Sequence, residues 1–303
     1  GSELFSFCNK LWNLTKYAEK VRAKVENELA EGQKGEENVM DAWLCSRLSA
    51  TLRSVDTHMG TAATHRAFDD LYSFIRKDVS GLYVESTKSA LWSDDKLRLV
   101  AVSRTMDGVL AESLRQLSVF MPFVSHFLHE RITGESVYER ALQYSPSWHD
   151  PALEATVAEV LSAAAAARAI KHKMKVPNKT NFQGIYFTHH PPASITPLLP
   201  LLNHLAHLSI DTTLPFEQRT PEGFEHMHVP GKTARLALKV EEESHREEIY
   251  DKLCEQGWNA AVKMKYYYRR MTRHEFYAFE ERERGPRLER HAQTNEKRAN
   301  WGR

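Results

Sequence analysis

Through the first 133 residues apolar side chains recur at steps of three and four, the spacing that lines them along one face of an α-helix. Leu4, Phe7, Leu11, Leu14, Ala18 and Val21 form the first such stripe, which predicts a helix with that face buried against neighbours. A Gly- and Glu-rich segment at 31–38 reads as a solvated loop. After it, Asp41 is placed to cap a helix carrying Trp43, Leu44, Leu48, Leu52 and Val55, which breaks at Gly60. Ala67, Phe68, Leu71, Tyr72, Phe74, Ile75, Val79, Leu82 and Tyr83 predict a densely buried helix after that. Another spans 97–120, and Pro122 restarts the chain before Phe123, Phe127 and Leu128. Successive amphipathic helices of this kind define an antiparallel helical bundle.

The pattern then changes. Residues 134–151, with Tyr144, Pro146 and Trp148, read as an extended connection, and the alanine-rich run 153–174 as a strong helix. That helix ends in a basic cluster of Arg168, Lys171, His172, Lys173 and Lys175 before Pro177. Strand-like alternation appears at 182–188 and 233–240, more weakly at 225–229, with a short helix at 196–208 between them. From 241 to 303 the chain is highly charged and helical, with a break at Arg284-Gly285-Pro286. The expected architecture is mainly α. A helical bundle at 3–150 is followed by a connecting helix and basic junction at 151–177, a small α+β module at 178–240 and a charged helical hairpin at 241–303.

Composition narrows the function classes. The 303 residues are 42% apolar, enough for a sizeable core, and 41 basic residues against 40 acidic leave a net charge of +1. Any nucleic-acid binding must therefore come from local charge arrangement. Cys8, Cys45 and Cys254 are too scattered for a disulfide framework or zinc site, and read as small core residues in a reducing, cytoplasmic compartment. No apolar run reaches the length of a membrane span, so no membrane partner is expected. Gly1-Ser2 reads as a cloning remnant, and the chain as a piece of a longer protein. His189-His190, His226 and His228 lack the partners of a metal set, and no phosphate-cradling Gly loop or nucleophile–base order stands out.

One flank of the first helix does carry chemistry. Lys10, Asn13, Tyr17, Lys20 and Lys24 follow one another at steps of three and four, with Lys16 beside them. Cations neutralise phosphates, an amide offers a donor and an acceptor, and a tyrosine ring offers a face to an unstacked base. The bland alternative is a solvated lysine face.

The run Phe7-Cys8-Asn9-Lys10-Leu11-Trp12-Asn13 resembles the first anticodon-domain helix of class Ia aminoacyl-tRNA synthetases, the valyl and isoleucyl enzymes in particular. Asp41-Ala42-Trp43-Leu44-Cys45-Ser46-Arg47-Leu48, the helical block 68–88 and Phe120-Met121-Pro122-Phe123-Val124 follow in that family's order. The resemblance implies tRNA, and not DNA, as the partner, with Lys10, Asn13, Lys16 and Tyr17 at the anticodon and Tyr17 stacked on a splayed base. A half-buried ring closing the bundle edge is the other reading of Tyr17. Arg47 either meets the RNA or caps a bundle helix, while Trp12 and Trp43 are expected in the core. The junction 168–177, with Arg168, Lys171 and Lys173, is similar to the valyl one, and no cysteine-based zinc module follows it. Isoleucyl specificity, or a helical protein-interaction module, is the alternative. Between Gln256 and Arg273 there is no acid, and Lys263, Lys265, Tyr267, Arg269, Arg270 and Arg273 form a basic, aromatic-interleaved surface. Met271-Thr272-Arg273, Phe276, Glu283, Gly285-Pro286 and Glu296-Lys297-Arg298 are similar to the final hairpin of eukaryotic and archaeal-type valyl enzymes, which reaches toward the tRNA elbow, although a solvated helix pair reads equally well. Neither ATP-site signature of the family is present in the chain. ATP and magnesium are therefore expected to serve the full-length enzyme only, with no cofactor or metal in this piece, no aminoacylation by it alone, and partner proteins of a synthetase assembly as further candidates.

Overall fold

A computed structural model describes residues 2–139, 145–173, 178–221, 224–229 and 234–239. The hairpin expected at 241–303, with Lys263, Lys265, Tyr267, Arg269, Arg270 and Arg273, lies outside the described residues. By internal contacts the chain divides into two compact units. One comprises Gly1–Ala167 with Asn181–Lys239, the other Arg168–Thr180 with Val240–Arg303.

The first unit opens with the helical bundle. Helix α1 (Ser2–Lys24) buries Phe7, Leu11, Leu14, Ala18 and Val21 as its stripe predicts, while Leu4, near the chain start, is exposed. The short α2 (Glu26–Ala30) follows, then α3 (Val39–Gly60). The cap of α3 is Asn38 rather than Asp41. Asn38 Oδ1 accepts from the Met40 N–H at 2.9 Å, and Asp41 reaches back to the Asn38 N–H at 2.8 Å, a reciprocal capping box. Helix α4 (Thr64–Ser73), a π-helical segment (Phe74–Tyr83) and α5 (Val84–Ser93) run on without interruption, and the π segment turns Phe74, Ile75, Val79, Leu82 and Tyr83 inward. Helix α6 (Lys96–Leu117) is capped by Asp95 and buries fourteen of its residues; α7 (Pro122–Thr133) opens on proline and stops at Gly134, φ +73°.

The connection at 31–38 is less free than its composition suggests. The Glu36 N–H donates to Leu97 O at 2.9 Å, and a Cβ on Gly35 would fall 2.3 Å from Ala101 N, so this loop lies against α6. At the bundle centre Asp41, 3% exposed, accepts Arg98 Nη1 at 2.5 Å, Arg98 Nη2 at 2.9 Å and Tyr83 Oη at 2.5 Å, joining α3, α6 and the π segment. A buried ion pair with every lone pair engaged fixes relative orientation more than it adds net stability.

Past a 3-10 turn at Pro146–Trp148, helix α8 (Pro151–Lys173) begins, and its alanines Ala163, Ala164 and Ala167 are fully buried. The sheet that follows has order β2-β1-β4-β3, formed by β1 (Phe182–Thr188), β2 (Leu208–Pro215), β3 (Phe224–His228) and β4 (Ala234–Lys239). β1 pairs β2 in parallel and β4 antiparallel, and β3 pairs β4 antiparallel. Parallel neighbours need a crossover, supplied by α9 (Pro192–Ile195) and α10 (Leu199–Ala206). The predicted helix at 196–208 thus ends earlier, at His207 with φ +48°, and a strand not predicted from the sequence begins at Leu208. Glu159 of α8 accepts Tyr186 Oη at 2.8 Å and Thr188 Oγ1 at 3.0 Å, anchoring β1 to the helix.

Candidate nucleic-acid interface

Helix α1 supplies the surface. Its core face points Phe7, Leu11, Leu14, Ala18 and Val21 into the bundle, which leaves Asn13, Lys16 and Lys20 exposed and Lys10 and Tyr17 half-exposed. Lys10, Asn13, Tyr17, Lys20 and Lys24 fall within about 80° of arc at 100° per residue, so the sequence-predicted flank is one physical strip. Among the described residues no carboxylate lies within ion-pair range of Lys10 or Lys20.

Tyr17 sits where this strip meets α5. Its hydroxyl is 2.8 Å from Thr87 Oγ1, and burial raises the phenol above its usual range. Thr87 in turn donates to Val84 O at 2.9 Å. The hydroxyl therefore orients a ring that is partly open. Beside Thr87, Lys88 Nζ meets Glu85 Oε1 at 2.5 Å, and Lys24 Nζ reaches Leu91 O at 3.3 Å and Asp94 Oδ1 at 2.9 Å. Tyr17 and Lys24 thus tie the last two turns of α1 to α5, whose Thr87 and Lys88 are not among the residues singled out from the sequence. Their only signal was the helical phase of α5, which depends on the π segment before it.

The other flank of α1 corrects an expectation. Trp12, placed in the core from sequence, is 37% exposed, while Trp43 is 4% exposed as expected. The Trp12 indole stacks on Phe127 of α7 with ring centroids 6.1 Å apart, and Lys16 Nζ and the Arg131 guanidinium lie over it at 5.4 Å and 5.1 Å. One residue beyond Leu11, it turns out of the core direction and seals the α1–α7 seam instead. Lys16 is thereby drawn away from Tyr17 toward Trp12.

Arg47 lies elsewhere. Its Nε meets Asp78 Oδ2 at 2.9 Å and its Nη1 meets Glu154 Oε2 at 2.8 Å, while Ser46 Oγ donates to Glu154 Oε1 at 2.6 Å. Those contacts bind α3 to the π segment and to the first turn of α8. Of its two readings, these contacts supply partners for the structural one.

In the second unit the basic junction is divided. Arg168 is exposed. Lys171, expected on a basic surface, is buried, and its ammonium donates to Thr180 O at 2.5 Å and Asn178 O at 3.3 Å; burial lowers its pKa to about 8. A group enclosed by carbonyls holds a loop and does not present charge to a phosphate. For Lys173 only its place in the last turn of α8 is described.

Among the described residues no group of three or more His, Cys, Asp or Glu is arranged to hold a metal ion, and no helix is long and apolar enough to cross a membrane. What remains is a helical bundle with a cationic, amide- and tyrosine-bearing strip. Residues 41–186 match the family described as the anticodon-binding domain of tRNA ligase. Valyl and isoleucyl enzymes are among the proteins the chain is similar to. It is 31% identical to valine–tRNA ligase of Mus musculus over 174 residues, which are 54% of this chain and 14% of that protein. Over 138 residues it is 31% identical to valine–tRNA ligase of Bacillus thuringiensis subsp. konkukian, covering 44% of this chain and 15% of the relative. Over 131 residues it is 34% identical to isoleucine–tRNA ligase of Halobacterium salinarum, covering 41% and 12%. The matched stretch is a small part of each relative's length.

Proposed function

We propose that this chain is the C-terminal, tRNA-binding portion of a cytoplasmic valine–tRNA ligase. In this reading the strip of Lys10, Asn13 and Tyr17 meets the anticodon loop, and the basic residues between 263 and 273, within the hairpin expected at 241–303, meet the tRNA elbow. The match of residues 41–186 to the anticodon-binding domain of tRNA ligases supports it most directly. Its contribution is positional. It holds the tRNA while ATP- and magnesium-dependent activation of the amino acid takes place on another region of the ligase.

Phosphate contacts supply affinity and base contacts supply selectivity, so the test must separate them. Valine and isoleucine tRNAs are titrated side by side against the 303-residue chain at several salt concentrations, with a generic RNA of equal length as reference. Tighter binding of the valine tRNA is expected. Preference for the isoleucine tRNA transfers the chain to the isoleucyl enzymes, a reading favoured by the 34% identity with the Halobacterium salinarum protein. Equal binding of all three RNAs removes the anticodon reading and leaves a helical protein-interaction module. Valine-dependent pyrophosphate exchange by the pure chain would contradict the purely positional role.

A further inference from the structure

The sheet order β2-β1-β4-β3 leaves β2 at an edge, where every second residue turns its backbone N–H and C=O away from β1. Open groups of that kind are a template for a further strand. At the centre of β2 they are already taken. The side-chain amide of Asn203, in α10, donates to Ile210 O at 2.9 Å, and Asn203 Oδ1 accepts the Ile210 N–H at 2.9 Å. One amide thereby exchanges both bonds with one residue, as a hydrogen-bonded pair on antiparallel strands does.

A local return of the chain puts the amide there. Asn203 breaks the leucine-rich run of α10, and its own carbonyl accepts the His207 N–H that closes the helix. His207 takes φ +48°, so the chain turns back directly into β2 and brings Ile210 to the Asn203 side chain. Neighbouring positions guard the same edge by other means. Ile210 and Thr212 pair with the consecutive residues Gly184 and Ile185, which leaves Asp211 as a bulge. The Phe216 N–H donates to Thr188 O at 3.1 Å, so alternation turns the backbone of Pro215 outward, and proline has no N–H to offer. Bulk does not shield the stretch between them. Ser209, Asp211 and Thr212 are exposed and line, with Asn203, a cavity of about 460 Å³. We propose that Asn203 is an edge clamp, occupying the central pairing groups of β2 and so keeping a second copy of this chain from adding a strand there. The inference stands apart from the tRNA-binding reading, which uses no residue of α10 or β2.

The test uses the full 303-residue chain without RNA. Sedimentation velocity over a range of chain concentrations reads self-association, and amide hydrogen exchange at Ile210, resolved by NMR, reads the clamp. Asn203→Ala is expected to speed Ile210 exchange in dilute solution roughly 5-fold or more. It should also associate as concentration rises, beyond anything the parent shows, with Ile210 becoming protected again once a second copy supplies the missing partners. Asn203→Leu keeps the bulk and loses both bonds, so it should behave in the same way. Adding Thr212→Lys, a charge that disfavours pairing at an edge, should return either variant to the parent's sedimentation. Variants that sediment as the parent does at every concentration, although Ile210 has opened, would overturn the assignment. Association that Thr212→Lys leaves untouched would do so as well, because it would belong to another surface. A monomeric Asn203→Leu beside an associating Asn203→Ala would make bulk, and not the amide, the guard. In the parent itself, an Ile210 amide that exchanges as fast as an open loop decides against the clamp, even if neither variant folds.

Discussion

Substituting Asp41 by alanine isolates the tie at the centre of the bundle. The change removes the acceptor of two Arg98 bonds, at 2.5 Å and 2.9 Å, of the Tyr83 hydroxyl at 2.5 Å, and of the Asn38 N–H at 2.8 Å. Arg98 is 8% exposed, so its charge stays buried without a counter-ion. Breaking a buried pair from one side destabilises by about 3–5 kcal/mol. Arg98 keeps the Glu36 carbonyl at 3.3 Å and Asn38 Oδ1 at 3.1 Å, which places the expected loss near the low end, about 3 kcal/mol. Against a total of about 5–15 kcal/mol for a folded domain, that is a large fraction. Urea unfolding followed by far-UV circular dichroism reads it directly. Adding Arg98→Met should recover much of the loss, because an apolar side chain of similar length no longer strands a charge. A single variant within about 1 kcal/mol of the parent would refute the reasoning. So would a double variant as unstable as the two single changes summed.

Tyr17→Ala should lower tRNA affinity by about 1–3 kcal/mol, whereas Tyr17→Phe keeps the stacking ring and loses mainly the Thr87 bond, about 1 kcal/mol of fold stability; equal affinities for all three proteins would leave Tyr17 a purely structural residue. Burial, then the Asp41 and Glu37 carboxylates, push the Cys45 thiol up to about 11, so its alkylation at pH 8 should run about two orders of magnitude slower than that of an ordinary thiol and accelerate toward pH 11. Peptide mapping after iodoacetamide pulses checks this, and labelling of Cys45 at an ordinary rate refutes it. For Lys171 the native pKa is depressed, to about 8, so between pH 8 and roughly 10.4 the unfolded chain binds a proton that the native site has released. Stability should rise with pH across that window, and the rise should vanish in Lys171→Met; persistence of the rise in the variant counts against a buried ammonium. Replacing Lys263, Lys265, Arg269 and Arg270 together by alanine should flatten the salt dependence of tRNA binding by roughly one unit of slope, or slightly less, per lost phosphate contact. An unchanged slope assigns the hairpin to solvent.

Much of the bundle was legible because large apolar side chains at three- and four-residue steps leave little freedom in which face is buried. Phe7 to Val21 on α1, and Val79 and Leu82 beyond it, follow that logic. The misplacements occur where a second interaction overrides a local preference. Asp41 has the chemistry of a cap, but Asn38 takes the cap position and leaves Asp41 at the third position, where it turns inward to Arg98. Trp12 is apolar enough for the core, yet its phase leads it to the seam with Phe127. In β2 the alternation of buried Leu208 and Ile210 with exposed Ser209 and Asp211 is short, and the leucine-rich run before it reads as one longer helix. Lys171 looks basic in sequence and is enclosed in space, which no one-dimensional pattern distinguishes. The α1 strip was visible as a spacing; its adjacency to Thr87 and Lys88 was not, since that depends on how the chain winds between Phe74 and Tyr83.

That π-helical segment has a consequence for how the surface tolerates change. Each i→i+5 closure holds one residue more than an α-helical turn, and each surplus residue rotates everything downstream by about 100° relative to an uninterrupted α-helix. The segment therefore works as a phase dial between the buried ring of Tyr83 and the open ring of Trp92. Deleting a single residue inside it is cheap in length, only about 1.5 Å, but swings Thr87 out from under Tyr17. Substitutions along α5 alter one contact each, whereas an insertion or deletion upstream resets the azimuth of the whole helix, so chain length between residues 74 and 83 is under tighter constraint than the identity of any exposed side chain there.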